Sequence, residues 1–317
     1  MPAITERDVH IPADVPDAFR AEYLKNYLAA TRHTGRLMLF AGDQKIEHLN
    51  DDFYGQSKLG PIPEDDHVPE HLFKIASTAT VGIFTTQYGM VAQYGPQYPK
   101  VNYLVKMNSK THLVKTAQKD PLSLSLVDFE DVLALKKNSK LNIVGIGYTI
   151  YLGSEFEYLM LAEAGRLVTK AHQHGMITVL WIYPRGKAVA DEMDAHLIAG
   201  ATGTGASLGT DFVKVNYPKK EGASSAEIFK EAIKSAGRLT KVVCAGGSST
   251  DTRKFLEGLH DQIHISGAAG NATGRNAHQK SFADAVRMCN AIAAIVLGDK
   301  DVDFAVQVLE GNAEFKP

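Results

Sequence analysis

Lys214 lies in Asp211-Phe212-Val213-Lys214-Val215-Asn216, a short apolar run that predicts a buried strand. Burial disfavours the charged form of an amine, and a neutral amine is a nucleophile that can form a Schiff base with a carbonyl substrate. Such chemistry needs a proton carrier beside the amine. Leu180-Trp181-Ile182-Tyr183-Pro184-Arg185-Gly186 predicts the preceding strand end. Side chains alternate along a strand, so Trp181 and Tyr183 share one face and Phe212, Lys214 and Asn216 share another. If both faces point into a barrel, phenol and amine become neighbours. Asp43, in Phe40-Ala41-Gly42-Asp43-Gln44-Lys45-Ile46-Glu47-His48, closes the first predicted strand, and Lys106 lies near the end of the third. Each also has a structural reading: edge lysine, core aromatic, turn or cap aspartate, or a Lys106–Asp43 charge pair. Their gathering at strand C-termini favours a site.

Two glycine-rich segments could hold phosphate. Ala245-Gly246-Gly247-Ser248-Ser249-Thr250-Asp251 follows the seventh predicted strand, and Gly270-Asn271-Ala272-Thr273-Gly274-Arg275-Asn276 the eighth. Glycines let backbone N–H groups approach an anion, a helix N-terminus adds positive potential, and Arg275 supplies a fork of donors.

The elements that must position these residues are short β-branched runs alternating with helical patterns. Predicted strands are Leu37–Ala41, Val81–Thr85, Tyr103–Met107, Ile143–Tyr148, Thr178–Tyr183, Asp211–Val215, Lys241–Ala245 and Ile263–Ala268. Predicted helices include Phe19–Thr31, which would cap the bottom of a barrel, then Phe129–Lys137, Ser154–His172, Asp194–Leu208, Ser225–Ala236, Thr250–His260 and Lys280–Leu297. The alternation predicts an α/β fold of the (β/α)8 TIM-barrel type. A doubly wound sheet is the rival, but no strand is followed by a dinucleotide-type glycine loop. Residues 1–35 form an N-terminal helical extension, 36–298 the barrel as a single catalytic domain, and 299–317 a C-terminal tail.

The bulk numbers exclude several classes. The 317 residues carry 34 basic and 36 acidic side chains, with no nucleic-acid or membrane footprint in a net charge of −2. Two cysteines, no signal-peptide core and no membrane-length apolar run predict a cytoplasmic protein. Gly203–Gly209 resembles a glycine fingerprint but precedes a strand, so it predicts a small-residue helix face. His67/His71 and His260/His264 have helical spacing without a third ligand and are read as surface histidines. Asn271-Ala272-Thr273 matches a glycosylation sequon without a secretion signal, and Cys244 reads as a small core residue.

Trp181-Ile182-Tyr183-Pro184-Arg185-Gly186-Lys187, Asp211-Phe212-Val213-Lys214-Val215-Asn216, Ala245-Gly246-Gly247 and Gly274-Arg275-Asn276 together resemble the archaeal-type class I fructose-bisphosphate aldolases. The wider group holds the aminodideoxyheptulosonate synthases and autoinducer-2 phosphate thiolases. The resemblance runs from about Arg36 to Leu297 and implies Lys214 as Schiff-base lysine, Tyr183 as proton donor and acceptor, and Asp43 as the aspartate after the first strand. It further implies substrate contacts by His48, Trp181 and Gln87, and phosphate contacts by Gly246, Gly247, Gly274 and Arg275. Gln44, Lys106, Val215 and Asn216 are further substrate-binding candidates from the same segments. It implies no cofactor, no metal, a phosphorylated sugar substrate and a large homo-oligomer, often a decamer. The expected activity is reversible cleavage of fructose 1,6-bisphosphate in glycolysis and gluconeogenesis. A transaldol synthase of aminodideoxyheptulosonate type and a non-catalytic sugar-phosphate-binding barrel are the alternatives. Departures lie in the loop Asp43–Asn50, the acidic segment Asn50–His67 and the insertion Asn108–Ser139, all of which bear on substrate identity more than on chemistry.

Overall fold

The computed structural model describes residues 3–247 and 251–316. Among these, β1 (Leu37–Ala41), β2 (Ile83–Gln87), β3 (Tyr103–Lys106), β4 (Ile143–Leu152), β5 (Ile177–Pro184), β6 (Phe212–Val215), β7 (Lys241–Ala245) and β8 (Gly270–Thr273) close into a barrel. All neighbours pair parallel, and β8 returns to β1 with Leu37 opposite Gly270. This is the expected (β/α)8 architecture, with helices between the strands.

Strand alternation divides the core in two. Leu37, Leu39, Ile83, Leu104, Val144, Ile177, Val179, Trp181, Phe212 and Val243 fill the barrel interior. Met38, Phe40, Phe84, Val105, Val213, Val215 and Cys244 face the surrounding helices. The helix Arg20–Ala30 closes the N-terminal mouth, as expected: Tyr27 stacks on Phe212 at 5.5 Å, and Asn26 donates to the Gly175 carbonyl at 2.7 Å. Gly205 of the helix Ala195–Ser207 faces the Val213 side chain so closely that an added Cβ would lie 2.9 Å away, so the small-residue face is a packing device. The C-terminal helix Val302–Glu310 packs on Phe282–Val296, and Phe315 is buried against Gly298.

The last strand differs from expectation. Ile263–Ala268 is the end of the helix Thr252–His264 and the turn beyond it. Its apolar residues continue the helical face of Phe255, Leu256 and Leu259. The strand is Gly270–Thr273, made of small and polar residues that strand propensity disfavours. Barrel closure overrides that propensity: both flanking strands supply ladder partners, and the Asn271 amide donates to Gln262 at 3.2 Å. The segment Gly270–Asn276 is therefore strand first and loop only from Gly274.

One pair of histidines is also corrected. His71 is buried at 2% exposure, and its Nε2 lies 3.1 Å from the His278 carbonyl. The His278 ring bonds Asp66 at 2.8 Å and stacks on Phe53. The acidic segment Asn50–His67 is thus docked on the barrel beside β8, a use of His71 that i,i+4 spacing alone does not reveal. His260 and His264 remain at the surface.

Candidate active site

A cavity of about 300 Å³ opens at the C-terminal ends of the strands. Lys214 and Tyr183 line it together with Asp43, Gln44, His48, Trp181, Asn216, Gly246, Gly247, Gly274 and Arg275. Three candidates do not. Val215 points outward into the helix layer, as alternation after Lys214 requires. Gln87 is buried behind the wall and donates to the Asp43 carbonyl at 2.9 Å, holding the backbone of that loop. Lys106 lies one layer below, donating to Thr149 Oγ1 at 2.7 Å and to the Asn108 carbonyl at 2.9 Å.

Lys214 is directly opposite Trp181 in the β5–β6 ladder. Its amine sits 5.3 Å from the centre of the Trp181 ring, with the Lys106 amine 5.1 Å from the same ring. The indole has room because β4 carries Gly147, where a Cβ would come within 2.5 Å of it. Burial pulls the Lys214 pKa below that of an ordinary lysine; Asp43 and Glu47 oppose the shift, and Arg275 adds to it. Lys106 is lowered by burial in the same way, again against Asp43 and Glu47. Asp43 is buried, with Oδ2 4.0 Å from Lys106 Nζ, and its charge also acts on Lys214. Burial and the nearby Glu47 and Asp43 carboxylates raise the Tyr183 phenol well above its usual range. The Tyr183 phenol is therefore neutral and able to donate a proton.

Next to these groups stand donors and acceptors without a protein partner: Trp181 Nε1, Asn216 Nδ2 and Gln44 Oε1 are buried and unsatisfied. Buried polar atoms are normally paired, so their convergence on one cavity suits a polar ligand. On the far wall, Gly247 adopts φ +70°, a left-handed conformation that glycine takes without strain. Arg275 Nη2 reaches the Gly247 carbonyl at 3.4 Å, and Asn276 donates to the Gly246 carbonyl at 3.0 Å. Gly274 leaves space for Gln44, whose amide would lie 2.2 Å from an added Cβ. Residues 248–250 of the first glycine loop lie outside the described residues.

Sequence reasoning missed three ionisable cavity residues: Glu47, His112 and Arg185. Glu47 and Arg185 sit inside segments already singled out, beside His48 and Tyr183. His112 comes from the irregular insertion, where no periodicity predicts which side chain faces the barrel. His112 Nε2 lies 2.7 Å from Glu47 Oε1. Burial alone would raise the Glu47 pKa, but His112, Lys106 and His48 outweigh it and hold the carboxyl well below its usual range. Arg185 is gripped by Glu192 at 2.9 Å and lies over the Tyr183 ring at 5.5 Å.

The arrangement can capture a carbonyl on a buried amine, move protons through a phenol beside it and hold an anion on the glycine–arginine wall. Comparisons with known proteins agree with that chemistry. A Methanocaldococcus jannaschii protein named fructose-bisphosphate aldolase/6-deoxy-5-ketofructose 1-phosphate synthase is 56% identical over 98% of this chain and 97% of its own length. A Thermoproteus tenax fructose-bisphosphate aldolase class 1 is 30% identical over 88% of this chain and 97% of its own length. The solved fructose-bisphosphate aldolase of Slackia heliotrinireducens superposes with a TM-score of 0.96, is 56% identical, and matches 100% of this chain and 98% of its own. The profile of the DeoC/LacD family aldolases matches residues 37–280, and the chain belongs to that family.

Proposed function

We propose that the chain is a Schiff-base, class I fructose-1,6-bisphosphate aldolase acting in glycolysis and gluconeogenesis. The observation that carries this reading is the buried Lys214 amine, flanked by Trp181 and sharing its cavity with the Tyr183 phenol. Lys214 Nζ attacks the C2 ketone, and loss of water gives an iminium. That cation accepts the electron pair of the breaking C3–C4 bond. Tyr183 takes the C4 hydroxyl proton as the aldehyde leaves, then returns a proton to the enamine carbon. A free phenol with a raised pKa is a poor base, but the iminium is a positive charge close by that favours the phenolate, so Tyr183 releases its own proton to solvent as the iminium forms and the phenolate then takes the C4 hydroxyl proton. Asp43 assists the proton movements of carbinolamine formation. Gly246, Gly247, Gly274 and Arg275 hold the C1 phosphate, so that remote binding energy positions the ketone. Products are dihydroxyacetone phosphate and glyceraldehyde 3-phosphate.

Lysine supplies the electron sink that a metal would supply elsewhere, so the reaction is metal-independent. Cleavage of fructose 1,6-bisphosphate by chelator-treated protein, followed through release of dihydroxyacetone phosphate, tests this. Loss of turnover on chelation, restored by metal, would refute it.

The double name of the M. jannaschii relative favours a second use of the same site. Cleaving 6-deoxy-5-ketofructose 1-phosphate between C3 and C4 gives dihydroxyacetone phosphate and a three-carbon 2-oxoaldehyde. The Lys214 enamine would then add to that aldehyde in place of glyceraldehyde 3-phosphate. A competition assay with both aldehydes reads the preference directly.

No helix among the described residues is long and apolar enough to cross a membrane. A cytoplasmic location is supported by two free, buried cysteines, Cys244 and Cys289. Self-association is supported by exposed Leu113, Val114, Leu124 and Leu126 on the insertion and by Tyr158, and a decamer is the assembly the family resemblance implies. Light scattering of the purified chain measures the assembly.

A further inference from the structure

We propose that Glu47, His48 and His112 form a binding site for one divalent transition-metal ion of the zinc class at the mouth of the cavity. Glu47 and His48 come from the end of the short helix after β1, and His112 from the insertion after β3. One ligand atom from each lies within 4.8 Å of the others, and the two imidazole rings meet edge to face at 4.8 Å. Two imidazole nitrogens and one carboxylate suit zinc, cobalt or nickel better than magnesium or calcium, which prefer all-oxygen shells.

The surroundings match those of a built metal site. Asp52 Oδ2 lies 2.6 Å from His48 Nδ1, a carboxylate behind the imidazole of the kind that metal-ligating histidines usually have, and Nε2 is the nitrogen left for an ion. The Tyr151 hydroxyl lies 3.4 Å from Glu47 Oε1 as a further outer partner.

The fit needs modest movement. Metal–ligand bonds of about 2.0–2.2 Å at tetrahedral angles put ligand atoms roughly 3.4 Å apart. The Glu47–His112 contact of 2.7 Å must open by less than about 1 Å, and His48 must close toward it. All three side chains are half-buried, so they can adjust. The ion takes the place of the direct contact between Glu47 Oε1 and His112 Nε2. Because all three residues line the cavity, the fourth position faces it and takes water. None of the three ligands is the reactive amine, but all share its cavity, so an ion bound here would sit beside the Schiff-base site without replacing the lysine.

Chelator-stripped, full-length protein titrated with Co2+ tests the proposal without reference to turnover. Visible d–d absorption should saturate at one ion per chain and vanish when Zn2+ is added. His112→Ala and Glu47→Gln should each weaken binding by about tenfold or more. His112 is partly exposed, so its loss leaves the core intact, and circular dichroism of both variants checks the fold. Absence of saturable absorption would overturn the proposal. So would binding unchanged in both variants, or binding lost in His264→Ala instead, which would move the ion to the surface pair His260 and His264, whose rings are 4.1 Å apart.

Discussion

Trp181 and Lys214 face each other across the β5–β6 ladder, with the lysine amine 5.3 Å from the indole centre. An aromatic face stabilises a nearby cation, by about 2 kcal/mol when both are desolvated. It would therefore favour the iminium that follows amine attack over the neutral amine that precedes it. Trp181→Leu is expected to lower kcat/KM on the order of 30-fold while leaving Lys214 in place. Gly147→Ala should act through the same ring, since its Cβ would meet the indole at 2.5 Å. Overpacking of that kind costs about 1–3 kcal/mol, so both melting temperature and turnover should fall. Steady-state kinetics and thermal denaturation of the two variants check this.

Tyr183 is assigned to proton transfer and not to amine capture. Tyr183→Phe should still form a covalent imine with dihydroxyacetone phosphate, while cleavage slows by about 10²–10⁴-fold. Rapid-quench measurement of imine formation beside steady-state turnover separates the two steps. Equal loss in both would give Tyr183 a different role.

Arg275 lies on the glycine-rich wall of the cavity and is also 3.7 Å from Asp52, which pairs with His48 at 2.6 Å. Arg275→Ala should raise KM for fructose 1,6-bisphosphate by about 10–100-fold, the worth of a hydrogen bond to a charged group. Asp52→Asn frees Arg275 from a competing carboxylate and should not reproduce that loss. Initial-rate kinetics of both variants provide the comparison.

At the other end of the barrel, His172 bonds Asp211 at 3.2 Å and Asp14 at 3.0 Å. Burial would lower its pKa, but the two carboxylates raise it from 6.5 to about 9. The folded state therefore holds a proton that the unfolded chain releases. Its stabilisation, on the order of 2–3 kcal/mol, is complete below pH 6.5 and lost as pH rises through about 9. Melting temperature should fall across that window, and His172→Gln should flatten the dependence. Calorimetry over the same pH range reads it.

Much of this arrangement is legible in the residues themselves. Lys214 and Tyr183 stand out because strand alternation and strand order together bring them to one cavity, and a lysine among β-branched residues is conspicuous. Val215 shows the limit of reading by neighbourhood: it adjoins Lys214 in sequence, yet the same alternation turns it to the helices. Gln87 and Lys106 lie at strand ends, but hydrogen bonds to the Asp43 carbonyl and to Thr149 tie them into the wall. No sequence pattern specifies those partners. β8 escaped because Gly270–Thr273 has the composition of a loop and is a strand only through its neighbours. His112 escaped because irregular segments carry no period from which a facing side chain can be deduced.

The central claim is that Lys214 forms the Schiff base, and covalent trapping tests it most directly. The protein is incubated with dihydroxyacetone phosphate, reduced with borohydride, digested and mapped by mass spectrometry. The account predicts one reduced adduct per chain, on Lys214, with none on Lys106 and none in Lys214→Met. A chain with no adduct, or with its adduct on Lys106, would contradict it.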